Sequence, residues 1–251
     1  MASTNLFALC VLLLAASYST ALKLPSYFKP CSRNDPKFSE CAVKHGREAI
    51  PTLIKGDPKY RIPKMTPLKI EKIAVEDDGN VGLNIVLEDI SIYHLDKAEL
   101  KDIKADFNTR DITLELFVPL LTILATHTIS GRILILPIKG HGPANITLEN
   151  VPLVYKLHYE LETRKDGKQY VVPKENSITF DTTQAWLRFE NLFDGDKTLS
   201  DQMRKFVDEN WREVVGAVGP SISDSIGLII RHILSSIADL VPYEEFFPKN
   251  E

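Results

Sequence analysis

From Leu68 to Phe189 the chain keeps a two-residue period. Leu153, Tyr155, Leu157, Tyr159 and Leu161 alternate with Lys156, His158, Glu160 and Glu162. Val81, Leu83, Ile85 and Leu87 alternate in the same way, as do Ile112, Leu114, Leu116 and Val118, and Ile133 and Ile135 against Leu134 and Leu136. This period belongs to strands with one apolar face. The turn clusters Asp77-Asp78-Gly79-Asn80 and Lys165-Asp166-Gly167-Lys168 separate such strands. The pattern predicts a long antiparallel sheet with one wet side. After Asn191 the period becomes helical: Thr198 or Ser200 caps a stripe of Met203, Phe206, Val207, Asn210, Trp211, Val214 and Val218. Gly219-Pro220 is expected to break it before a second stretch ending at Leu240. Laid end to end, Leu199 to Leu240 spans roughly 60 Å. That is too long for a compact ball, so the expected fold is α+β and elongated: a strongly curved sheet wrapped around a long C-terminal helix.

An apolar sheet face has to be buried against something. One helix offers a single stripe, whereas the sheet supplies many inward aliphatics, among them the run Leu116–Ile138, broken by Pro119, His127, Gly131 and Arg132. A sheet curled around one rod can leave space that its side chains do not fill, and an aliphatic void takes up apolar guests. The competing reading is a solid core. If the space exists, the inward alternates line it: Leu83 and Ile85, Leu114 and Leu116, Leu134 and Leu136, then Leu157, Tyr159, Leu187 and Phe189. Phe206, Val207 and Ile230 face them from the helix. Trp186 and Trp211 are candidates for a tunnel end or for ordinary packing, and Tyr93, Tyr155 and His127 for a polar handle. Burying a fifteen-carbon guest at about 0.8 kcal/mol per methylene gains on the order of 10 kcal/mol before association costs.

The first 21 residues read as a secretory leader, with an apolar run Leu6–Ala16 and small residues before a cut after Ala21. Residues 22–251 form a single domain. Cys10 leaves with the leader, so Cys31 and Cys41 remain as a pair in an oxidising compartment, where a bridge contributes about 2–3 kcal/mol. Asp35-Pro36 opens a helix over 36–55 that Pro51 kinks or ends. Asn145-Ile146-Thr147 is a glycosylation sequon on a turn after Gly140-His141-Gly142-Pro143. A net charge of -4 gives no footprint for nucleic acid. No Gly-x-Ser-x-Gly elbow or His-Glu-x-x-His pair is present, so neither an esterase nor a zinc hydrolase is expected, and no cofactor or metal is implied. A lipid-extracting or microbial-lipid-binding defence protein is the alternative; it requires an exposed basic or apolar tip, and Arg61, Lys64, Lys69 and Lys72 form the mild basic cluster on offer.

Several local sequences carry a family resemblance. The stretch Cys31-Ser32-Arg33-Asn34-Asp35-Pro36-Lys37-Phe38-Ser39-Glu40-Cys41 resembles the amino-terminal disulfide loop of the insect takeout and juvenile-hormone-binding family. Ile62-Pro63 and Pro67-Leu68-Lys69-Ile70 follow in order. Phe189-Glu190-Asn191-Leu192-Phe193-Asp194-Gly195-Asp196-Lys197 is similar to its strand-to-helix junction, and Asn210-Trp211-Arg212-Glu213 and Val241-Pro242-Tyr243-Glu244-Glu245-Phe246-Phe247 to its closing helix and tail. The resemblance implies a tubular lipid-binding fold enclosing a hydrophobic tunnel. It also implies a secreted carrier of a terpenoid, fatty-acid derivative or juvenile-hormone-like lipid, without stable membrane insertion. The hormone carriers of haemolymph have a second disulfide that this chain lacks, which places it nearer the takeout branch.

Overall fold

The computed structural model describes residues 21–75 and 82–250. Residues 1–20 of the expected leader, the alternate at Val81 and the turn at 77–80 lie outside the described residues. Helix α1 (Phe38–Leu53) is followed by strands β1 (Leu68–Val75), β2 (Leu83–Tyr93), β3 (Glu99–Asp106), β4 (Asp111–Ile133), β5 (Leu136–Thr163), β6 (Gln169–Phe180) and β7 (Gln184–Phe189). Helices α2 (Lys197–Glu209), α3 (Trp211–Ala238) and the short α4 (Tyr243–Phe246) complete the chain. The seven strands form one antiparallel sheet, with β4 and β5 as its spine. Beside the upper half of the spine lie β2, with β1 outside it, and β7. Beside the lower half lie β3 and β6. The sheet does not close on itself, and α2 and α3 run along its open side.

The polar interruptions of the Leu116–Ile138 run each have a structural reason. Pro119 has no N–H to give. It falls where β3 partners of β4 have ended, at Phe117, and β2 partners begin at Thr122. Across from it on β5 the register skips Asn150, whose φ is +49°. At this point both spine strands change which alternates they bury. Val118 is buried below the kink and Ile129 and Ile133 above it; Leu148 is buried above and Val151 below. Gly131 lies against β2, where a Cβ would come within 2.3 Å of the Gly82 carbonyl oxygen.

Four local expectations are corrected. α1 begins at Phe38 because the Asp35 carboxylate first takes the Lys37 N–H (2.8 Å) in a turn; Pro51 lies within its last turn. Asp196, not Thr198 or Ser200, caps α2 by accepting from the Leu199 N–H at 3.0 Å. The long helix breaks at Asn210, whose φ is -122°, whereas Gly219-Pro220 stays inside α3. Gly140 to Pro143 forms no turn: β5 runs straight through it. The two glycines instead give passage to the chain leaving β7. A Cβ on Gly142 would meet the Glu190 oxygen at 2.8 Å, and one on Gly140 the Leu192 Cα at 2.9 Å. In a strand interior, glycine often marks such a close backbone approach.

The lower end is closed by the termini. The disulfide Cys31–Cys41 ties the amino-terminal arm to α1. The Arg33 guanidinium donates to the Phe247 carbonyl (2.9 Å) and to Glu244 (2.8 Å), and lies over the Tyr243 ring.

Candidate functional site

The helices do not fill the sheet. Two apolar chambers lie end to end along α3. The upper one, about 390 Å³, is walled by Leu83, Ile85 and Leu87 of β2, Ile123, Ile129 and Ile133 of β4, Ile146 and Leu148 of β5, and Leu187 and Phe189 of β7. Met203 and Val207 of α2 and Val214, Val218 and Ile222 of α3 face them. Isoleucine dominates the strand wall, and a short side chain held in few χ1 wells does not reach across to the helix. The polar residues that touch this chamber are Asn145, Arg188, Glu190 and Arg204, and Arg188 is paired with Asp208 of α2. An open groove continues from it between the β4–β5 hairpin and α2; Ile138 and Met203 belong to both.

The lower chamber, about 310 Å³, is lined by Phe38 of α1, Ile103 of β3, Ile112 and Leu114 of β4, Tyr155 and Leu157 of β5, Val171 of β6, Leu234 of α3 and the tail residues Phe246 and Phe247. Between the two chambers, Ile178, Leu153, Ile226 and Ile230 pack together with Tyr155 and Leu157. Both volumes fall within the range of small-molecule sites, about 300–1,000 Å³.

The anticipated wall residues divide among these places. Leu83, Ile85, Leu187, Phe189 and Val207 line the upper chamber, and Leu114 and Leu157 the lower. Ile230 sits in the partition. Leu136 lines the open groove. Leu116 is half-buried and lines neither chamber, and Phe206 packs against the main core. Tyr159 is fully buried below the lower chamber, where its hydroxyl lies 3.4 Å from that of Tyr243. Leu134 is away from the interior altogether. With Ile135 it makes the two-residue turn between Ile133 and Leu136, at φ +53° and 40% exposed. Trp211 packs on the core with Arg212 over its ring. Trp186 and Tyr93 are half-buried outside both chambers. Asn145 is exposed within β5, not on a turn. The alternation alone does not disclose Ile129 or Ile146, because the kink at Pro119 and Asn150 shifts the phase; Met203 belongs to the helical stripe and reaches the chamber from α2.

Two buried polar side chains stand out. His127 is 0% exposed; its Nε2–H donates to the Glu190 carbonyl at 2.8 Å and its ring meets Phe189 edge-on at 5.2 Å. Burial lowers its pKa, which keeps it neutral, and it holds the crossing chain over Gly142. Its Nδ1 has no hydrogen-bond partner among the described residues. Tyr155 is 2% exposed and lines the lower chamber, and its hydroxyl likewise has no partner among the described residues. Burial pushes its pKa up to about 12, so it remains a neutral donor. Cys31, Cys41 and His45 also lie together, but the sulfurs are joined to each other, which removes them as metal ligands.

The family model for the haemolymph juvenile hormone binding protein matches residues 8–248. The chain belongs to that family. Relatives include the circadian clock-controlled protein daywake of Drosophila yakuba, 25% identical with 89% of this chain and 88% of that protein covered. The daywake protein of Drosophila melanogaster is also 25% identical, over 90% of this chain and 88% of its own. Among solved structures, Takeout 1 of Epiphyas postvittana superposes with a TM-score of 0.76 at 28% identity, covering 87% of this chain and 99% of that one. The family's tubular fold is thus the fold of this chain: a long antiparallel sheet, open along one side, wrapped on a C-terminal helix.

Proposed function

We propose that the protein is a secreted carrier that holds one small, largely apolar molecule inside the sheet. A terpenoid, a fatty-acid derivative or a juvenile-hormone-like lipid fits the description. The observation that carries the reading is an interior with two unfilled aliphatic chambers and one hydroxyl, that of Tyr155, left without a partner. A buried donor without an acceptor is costly in an empty site and becomes useful when a guest brings a carbonyl, ester, epoxide or hydroxyl oxygen. The apolar body of the guest then occupies the wall formed by Leu114, Leu157 and Leu234, or, for a guest of the upper chamber, by Ile85, Leu187 and Val207. Membership of a family described as juvenile hormone binding supports the ligand class. The pair Cys31–Cys41 supports an oxidising, extracellular setting reached through a leader cut after Ala21. The exposed side chain of Asn145 is the proposed glycosylation site.

Native mass spectrometry of protein purified from its own source, followed by organic extraction, tests the reading. One apolar molecule per chain, displaceable by a fluorescent fatty acid, is the expected result. Protein that carries no guest and takes up no such probe contradicts it.

A further inference from the structure

The turn that joins β4 to β5 breaks two rules at once. It is a two-residue hairpin whose first central position has positive φ, a site that favours glycine. Leu134 occupies it, at φ +53°. The second position is Ile135, 82% exposed, a large aliphatic in water at the outermost point of the hairpin. Neither residue improves the turn, and neither is buried by the chain. Leu199 of α2 is 45% exposed and lines the groove that opens from the upper chamber opposite Leu136, the residue that follows this tip. Leu120, Leu124 and Leu228 are exposed singly elsewhere, whereas Leu134 and Ile135 are adjacent at the tip of the hairpin whose Leu136 lines the groove with Leu199.

The charges nearby show what kind of partner fits. Lys139 is paired with Asp194 at 2.5 Å and Arg204 with Asp201 at 2.8 Å. Arg132 and Lys197 make no ion pair among the described residues. The basic cluster near β1 is partly spent as well: Lys72 pairs with Glu88 and Lys69 donates to Ser91. With Lys139 and Arg204 neutralised in place, the two separated cations Arg132 and Lys197 give only modest attraction to an acidic surface, and apolar contact is the larger part of what the tip offers. A carrier of oily molecules also has to meet the phase in which they dissolve.

We infer that the hairpin tip Leu134-Ile135, with Leu199, is a docking surface for a lipid layer, dipping transiently into a zwitterionic bilayer so that a guest passes through the groove without crossing water. This rests on the carrier reading for its purpose, but the docking is measurable without any guest. The probe is phosphatidylcholine vesicles, with a second set containing phosphatidylserine. Flotation of wild type is compared with Ile135→Asp and with Leu134→Asn. Asn tolerates the left-handed backbone, so L134N is expected to keep or raise Tm while losing vesicle binding. Ile135→Asp is expected to reduce the fraction bound by about tenfold or more, since a large aliphatic no longer leaves water. Fluorescent fatty acid binding in solution should be unchanged in both. Transfer from vesicles should accelerate with vesicle concentration in wild type only.

The inference is overturned if wild type does not float, if it floats equally with both variants, or if binding requires phosphatidylserine and ignores Ile135. A dimer seen by sedimentation that I135D dissolves, with no vesicle binding, makes a second copy the occupant and also overturns it. Vesicle binding by a protein that takes up no fatty acid would leave docking standing and remove the carrier reading; the reverse result removes docking alone.

Discussion

Replacing Tyr155 by Phe should make the empty protein more stable and the loaded protein weaker. The hydroxyl is buried among Leu114, Leu157, Ile178 and Ile230 and has no partner. A buried unsatisfied polar group costs about 1–3 kcal/mol, and Phe removes the group while keeping the ring. In a chain of this size each kcal/mol moves Tm by about 2–4 °C, so delipidated Tyr155→Phe is expected to melt several degrees above wild type. The same hydroxyl is the proposed donor to a guest's oxygen. A guest with an ester or epoxide should therefore lose about 0.5–1.5 kcal/mol, roughly 2- to 10-fold in affinity, and a pure hydrocarbon of similar length should lose nothing. Tyr159→Phe is the control: its hydroxyl already lies 3.4 Å from that of Tyr243, so no stabilisation is expected. Calorimetry on delipidated protein and displacement titrations with the two guests measure both effects. A lower Tm for Tyr155→Phe, or equal losses for oxygenated and hydrocarbon guests, would refute the argument that this hydroxyl waits for a ligand.

Other perturbations test neighbouring parts of the design. Ile230→Ala thins the partition and should cost about 2 kcal/mol in urea denaturation while shifting preference toward longer guests in a chain-length series. Gly142→Ala places a Cβ 2.8 Å from the Glu190 oxygen and should destabilise by about 1–3 kcal/mol; an unchanged urea midpoint would show that the crossing chain yields there freely. His127 has its pKa lowered by burial, so the unfolded chain binds its proton more readily than the folded one. Its contribution is therefore intact above its ordinary value of 6.5 and is lost as pH falls from there toward the lowered folded value; His127→Gln should flatten that part of the stability–pH curve measured by chemical denaturation.

The strands and the final helical region were legible because their periods are physical consequences of burying one face. Leu153 to Leu161 could hardly be anything but a strand, and the structure has them in β5. What alternation does not carry is phase. A kink shifts every later alternate to the opposite face, and neither Pro119 nor Asn150 announces by itself that it will do so. Leu114 before the kink and Leu157, Leu187 and Phe189 after it lie on the wall, whereas Leu116 before it lines neither chamber and Leu134 after it is in the hairpin turn. Gly140 and Gly142 were misread for a related reason: a glycine that makes room for another strand's backbone has the same local sequence as one in a turn. The helix break was misplaced because Pro220 is more conspicuous than Asn210, although a long helix can absorb a proline where its missing bond faces no buried partner.

The kink connects the form of the sheet to the division of its interior. The upper chamber is lined on β5 by residues up to Leu148, and the lower one begins at Tyr155. Pro119 and Asn150 lie between, level with each other across the spine. Here the strand neighbours change too, from β2 and β7 above to β3 and β6 below. Each half therefore curves around its own stretch of α3, and the aliphatics left in the overlap, Leu153, Ile178, Ile226 and Ile230, meet in the middle instead of lining a common wall. An uninterrupted pair of spine strands would bury a single phase of alternates from end to end and leave one channel. Under the proposed carrier function, two chambers with a thin aliphatic partition would let a short guest occupy either half and a longer one displace the partition's side chains, and the bend in β4 and β5 would then set the length of molecule accepted.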